Sequence, residues 1–153
     1  MAITESGVLF PTLRDQWDAS QIGVDLISDT IKVALFSDSI TPNFGTDTAY
    51  AVAPYDANEV SGGSWSAGGV TLSGNAITTE SVSGTPSWVF DATDVSNGAT
   101  ITDAMGILVY DDTNSPKHGI CLIDLVTVVT VDGTLEIQWT APGSGGILNQ
   151  AYS

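Results

Sequence analysis

The stretch that most constrains this chain is Asp29–Phe36, DTIKVALF. On an extended backbone, Ile31, Val33 and Leu35 share one side of the pleat, and Lys32, Ala34 and Phe36 share the other. Both sides are mostly apolar. The stretch therefore predicts an interior strand covered on both faces, with its one charge near a rim.

Shorter β-forming runs surround it. Val70–Ala76 alternates, with Val70 and Leu72 inward, and Ile77–Val82 either continues it after a bulge or begins its partner. After the turn Ser83-Gly84-Thr85-Pro86, Ser87–Phe90 points Trp88 and Phe90 one way. Asp91–Asn97 reads as a loop before Ala99–Thr102. Met105–Tyr110 and Lys117–Leu125 flank a turn sequence, Asp111–Pro116, and predict a hairpin. Val126–Val131 follows, Asp132-Gly133 reads as a turn, and Thr134–Thr140 closes the run with Leu135, Ile137 and Trp139 together. These runs predict an all-β fold: a single-domain β-sandwich or flattened barrel of about seven to eight strands, with one short N-terminal helix.

The helix is expected from Pro11 to about Gln21, where Phe10, Leu13 and Trp17 follow spacings of three and four and Gly23 ends the pattern. Trp17 is expected to plug one end of the sandwich, the alternative being use of the helix by a neighbouring subunit. Residues 1–9 read as an N-terminal arm, 10–140 as the β-sandwich body and 141–153 as a C-terminal tail docking in an assembly. Ser37–Glu59 is a long irregular segment whose Phe44, Tyr50 and Tyr55 must pack on something, its own domain or another chain. The Gly62–Gly69 stretch lacks GxxxxGK[ST] and a strand–loop–helix context, so its glycines predict tight turns rather than a phosphate cradle.

With 153 residues, the chain suits one domain. Arg14, Lys32 and Lys117 stand against 18 acidic residues, for a formal charge of −15. Such a surface repels nucleic-acid phosphates and anionic lipid, and suits a basic protein partner, bound cations or a salty medium. Neither a nucleic-acid nor a membrane partner is expected. Cys121, the one cysteine, excludes an internal disulfide and lies in an apolar run where a buried inert thiol is expected. The sequence has no apolar run of about 18 residues, and MAITESG lacks signal-peptide features. Synthesis in a reducing host cytoplasm is expected, with the final location set by any assembly the chain joins.

No catalytic grouping can be drawn. His118 has no nucleophile or orienting acid in its local sequence and is expected on a surface or edge strand. Paired carboxylates are too abundant to single out a glycosidase pair. Asp91 with Asp94, and Asp111 with Asp112 and Asn114, have the oxygen ligands of a modest calcium site but not EF-hand spacing, and read as solvated turns. Trp88 and Trp139 alternate as core residues, whereas Trp65 sits in a Gly/Ser loop where packing, an interface and a sugar-stacking role compete. The expected partner-interface residues are Ile3, Leu9, Phe44, Tyr50, Tyr55, Trp65, Ile147, Leu148 and Tyr152.

Several ordered segments carry a resemblance: Asp29–Leu35, Asn58–Gly62, Ala67–Leu72, Phe90–Ala92 with Asp94-Val95, Ala99–Ala104, Leu108–Thr113 and Thr134–Trp139. Together they resemble a family of small structural proteins encoded among the virion genes of tailed bacteriophages. One departure stands after Ile123-Asp124, where similar proteins often carry Phe-Gly and this chain has Leu125-Val126. The resemblance implies a non-enzymatic virion component, a capsid decoration or cement protein, or else a minor tail protein. Its implied partners are the major capsid protein or tail proteins, with many copies per particle or a homo-oligomer. A carbohydrate-binding adhesion module is the reading from a different class.

Overall fold

The computed structural model describes residues 3–18 and 23–151. The elements in order are β1 (Gly7–Val8), α1 (Phe10–Trp17), β2 (Ile31–Ser37), β3 (Glu59–Val60), β4 (Val70–Thr71), β5 (Ala76–Val82), β6 (Thr85–Asp91), β7 (Val95–Asp111), β8 (Gly119–Ile137), a 3₁₀ turn (Pro142–Ser144) and β9 (Leu148–Ala151). They form two antiparallel sheets. The larger runs β1-β8-β7-β2-β3, with β4 also paired to β2; the smaller runs β5-β6-β9.

The DTIKVALF stretch supplies β2, an interior strand paired with β7 from Ile31↔Asp111 to Ser37↔Ala104 and with β3 and β4 on its other edge. Its two faces feed separate cores. Ile31, Val33 and Leu35 join Ile107, Val109, Trp65 and Phe90 of the smaller sheet in one cluster. Ala34 and Phe36 join Leu108, Tyr110, Leu122, Ile3, Leu9, Ile40 and Tyr55 in the other. The charge on β2 sits at a rim, where Lys32 Nζ lies 2.7 Å from Asp112 Oδ2.

The second core is capped by irregular chain rather than by a sheet. Both the 3–9 arm and the 38–58 segment fold back on the larger sheet, because their apolar side chains have a place to go. Ile3 and Leu9 are fully buried, and burial of each contributes roughly 2 kcal/mol. Glycines make the space: a Cβ on Gly106 would fall 2.6 Å from Ile3 Cδ1, and one on Gly119 would fall 2.5 Å from Leu9 Cδ2. At Gly69, φ is +71° and a Cβ would lie 1.9 Å from the Val33 carbonyl oxygen, so only glycine fits against β2 there.

The predicted hairpin forms, with Gly106↔Asp124 through Tyr110↔Gly119, and it is much longer than the sequence suggests. Val95–Asn97, expected in a loop, already pair with Leu135–Ile137. Asp132-Gly133 is not a turn: the two residues pair with Thr100 and Ala99. The hairpin's long register overrides their local turn preference. Register shifts interrupt it after Ile101, Ala104 and Val109, the second being the largest. Ala104 pairs with Val129 and Gly106 with Asp124, so Met105 alone stands opposite the bulged stretch Leu125–Val128. Within it Val126 adopts φ +66°, and its N–H donates to Asp124 Oδ1 at 2.7 Å.

Three other expectations change. Val70–Ala76 is broken after Thr71, and β5 begins at Ala76 as the partner of β6. The tail is a strand of the smaller sheet, β9 pairing with β6 from Phe90↔Leu148 to Ser87↔Ala151. The helix stops at Trp17, and Gln21 lies outside the described residues. Trp17 does not plug the sandwich; it is 83% exposed. The reason lies in the first turn, where Pro11 and Thr12 are the buried residues and Thr12 Oγ1 donates to the Gly119 carbonyl at 2.5 Å. That contact rotates the Trp17 side of the helix outward.

Candidate interaction surface

Four of the nine residues expected at an interface are inside this chain. Ile3, Leu9, Tyr55 and Trp65 are at most 2% exposed, which removes them from the free surface. Trp65 is the clearest correction: the Gly62–Trp65 bridge and the Gly63–Ala99 bridge hold its loop against β7, and the indole fills the core. Phe44 is half-buried against Gly7, and Tyr55 meets Phe36 edge-on at 5.4 Å. Ile147 is half-buried, its N–H donating to the Phe90 carbonyl at 2.9 Å. Tyr152 lies outside the described residues.

Tyr50 belongs to a polar clasp across the second core. Its ring stacks on Tyr110 at 4.5 Å, and its hydroxyl donates to Glu59 Oε2 at 2.7 Å. Glu59 Oε1 accepts from the Gly68 N–H at 2.6 Å, and the Tyr110 hydroxyl donates to the Gly68 carbonyl at 2.6 Å. Burial, with the Glu59 carboxylate beside it, pushes the Tyr50 phenol up to about 12. Beside the clasp, Lys32 and Lys117 both pair with Asp112, and Lys117 lies 5.6 Å from the centre of the Tyr50 ring. Burial tends to raise the Asp112 pKa, but the two ammonium groups outweigh it and hold the carboxyl below its ordinary value. The clasp ties the 50–68 segment to β7 and leaves its donors and acceptors engaged.

Most of the other candidate groups are also occupied structurally, the exception being Asp91, whose Oδ1 is buried without a hydrogen-bond partner. His118 is buried rather than on the surface, paired with Ala49 in an isolated bridge. Cys121 is buried, which pushes its thiol up to about 12 and leaves it inert. Asp111 accepts from Thr113 N–H and Asn114 Nδ2, and Asp94 accepts from Trp139 N–H. Asp91 ends β6. Among the described residues, no group of three or more His, Cys, Asp or Glu side chains converges as a metal site. Among them, no helix is long and apolar enough to cross a membrane.

What remains is an apolar groove of about 370 Å³ between α1 and the inner face of the smaller sheet. The helix supplies Leu13 and Trp17, and the sheet supplies Ile77, Trp88 and Leu148, one from each of its strands. Register explains this wall. Ile77 lies opposite Phe90, which in turn lies opposite Leu148, while Trp88 lies opposite Gln150, so all point to the same side. Phe90 is covered by the core, whereas Ile77 is 48% exposed. Gln16 pins the far wall, its Nε2 donating to the Val24 carbonyl at 2.7 Å and its Oε1 accepting the Val24 N–H. Phe10, at the start of the helix, is also exposed.

Of the expected interface residues among the described ones, only Leu148 lines this groove. Trp17 and Ile77 both sit in periodic runs, which favour a core place for them, with a neighbouring subunit only the alternative for the helix, because periodicity does not say whether anything covers such residues. Acid borders the groove. Asp25 lines it, and the backbone N–H groups of Ile27 and Ser28 hold its carboxyl below the ordinary range. Comparison with protein-family models, curated protein sequences and solved structures finds no match.

Proposed function

We propose that the chain is a non-enzymatic bacteriophage virion structural protein of the capsid decoration, or cement, type, which stabilises contacts between capsid subunits. The observation that carries this reading is the exposed apolar surface at α1 and the smaller sheet, set on a body of formal charge −15. An exposed apolar surface of this kind suits a contact with another protein. Every basic side chain is already engaged within the chain, Arg14 with Asp15 and both lysines with Asp112. The body therefore presents acid to its surroundings, which steers it to positive protein surface and keeps free copies apart.

The resemblance adds to this reading. Its segments fall on β2, β3, β4, the end of β6 and the long hairpin, so they belong to the scaffold rather than to a pocket of reactive groups. A stiff sheet body with one sticky face is suited to spanning a joint between subunits, and many copies on a particle make modest individual affinity sufficient. A minor tail position would use the same surface. Copy number separates the two: a number matching the capsid lattice means the head, and one matching the tail axis means the tail.

The test is to prepare particles lacking the protein. The expected result is earlier rupture on heating or in low salt, restored by adding the purified chain. Particles of unchanged resistance, with no uptake of added protein, would count against the reading.

A further inference from the structure

We propose that the groove between α1 and β9 receives an extended segment of another protein, alternately apolar and flanked by Lys or Arg, which adds to the open edge of β9 as a further strand. This rests on the reading of the chain as a structural protein that works against other chains, and names the chemistry of the segment it takes.

Three observations favour this occupant. First, β9 is the last strand of the smaller sheet, and among the described residues it pairs only with β6. Asn149, Gln150 and Ala151 are exposed, so the edge is uncovered there. An unpaired edge is a template for main-chain hydrogen bonds to an incoming strand. The opposite edge strand, β5, lies near the 3₁₀ turn.

Second, the groove lies on the side of β9 where Leu148 points, so alternate side chains of an added strand would enter it. Trp17 is poised across the gap at 83% exposure, where a bound strand would cover it. Third, charge selects the segment. Asp25 lines the groove, the chain carries −15, and no lysine or arginine is left unpaired by an acid. A second copy would bring the same charge, and nucleic acid or anionic lipid would be repelled more strongly still. A cationic, alternating segment is the chemistry that fits both the wall and the rim.

The probe is a labelled twelve-residue peptide alternating Val and Lys. Its comparators are an isomer of identical composition with the valines in one block, and an alternating Val/Glu peptide. Binding is read by fluorescence anisotropy at physiological salt, and amide chemical shifts locate the site. The alternating Lys peptide is expected to bind best and to shift the amides of 148–151. Trp17→Ser and Ile77→Ser, both at exposed positions, are each expected to weaken it by roughly tenfold. Equal binding of the two Lys isomers, or shifts elsewhere with no effect of Trp17→Ser, would overturn the inference as mere charge attraction.

A particle experiment separates this inference from the functional reading beneath it. If wild-type protein is present on purified particles and Trp17→Ser is incorporated equally, the groove inference fails while the virion reading stands. If wild-type protein is absent from particles, the virion reading fails, and the peptide result alone decides the groove.

Discussion

Val126 is a β-branched residue at φ +66° in the bulge of β8. An L-residue in the left-handed region costs roughly 1–2 kcal/mol, and branching at Cβ places valine toward the upper end. The side chain is 77% exposed, so removing it loses little burial. Against this, glycine gives the unfolded chain extra freedom worth about 0.5–1 kcal/mol. Val126→Gly should therefore stabilise the protein by about 1 kcal/mol, or roughly 2–4 °C in Tm. Val126→Ala keeps a Cβ in the same backbone conformation and should recover only a small part of that. Val128→Gly is the control: Val128 is also exposed, at 54%, and is absent from the positive-φ residues, so glycine there should destabilise by about 1 kcal/mol. Urea unfolding followed by tryptophan fluorescence, at constant m, measures all three. If Val126→Gly loses as much stability as Val128→Gly, the strain at the bulge is not real.

Trp65→Ala should cost about 3–5 kcal/mol and leave little folded protein, because the indole is fully buried; a folded variant with near-native stability would return Trp65 to the surface. Tyr50 is held up to about 12 from 10.0, and Tyr55 and Tyr110 are also raised, all chiefly by burial. Their neutral forms favour the fold, so this stability is full below pH 10 and is lost at higher pH, the Tyr50 part as pH rises through about 12. Absorbance titration should show these three phenols ionising only as the protein unfolds at alkaline pH; ordinary reversible titration near 10 contradicts it. Asp112 is depressed, so its contribution is present above the unfolded value of about 3.9 and is lost as pH falls through the lower folded one. Asp112→Asn should cost roughly 1 kcal/mol at neutral pH and flatten the acid limb of a stability–pH curve. Gly119→Ala should displace Leu9, seen as faster proteolysis within residues 3–9 with the rest of the fold intact.

The parts of the fold legible in sequence were those where local pattern and burial coincide. The alternation of DTIKVALF gives both faces of β2 correctly because each side chain meets its own core. The hairpin of β7 and β8 was readable in its inner half for the same reason. Its outer half was not. Asp132-Gly133 has turn chemistry, yet Thr100 Oγ1 donates to Asp132 Oδ1 at 3.2 Å across a continuing ladder. The tail was hidden by Gly143, Gly145 and Gly146, which read as a linker, although Leu148–Ala151 pairs along β6.

The interaction surface was less legible than the fold. Exposure depends on where neighbouring elements stop, and no local pattern records that. Trp65 sits among glycines and serines and is buried, while Trp17 sits in a periodic helix and is exposed. Glycines carried a signal that could have been used. Gly106 and Gly119 lie inside strand patterns, where a missing side chain marks close approach, and Ile3 and Leu9 fill those spaces.

We propose a molecule that acts by contact with other protein chains through one apolar face. A reconstruction of the intact particle tests this most directly. The prediction is density for this β fold at a regular lattice position, with the α1–β9 face covered by a neighbouring chain and Trp17 buried in the contact. Particles without the protein, or with that face turned to solvent, would contradict it.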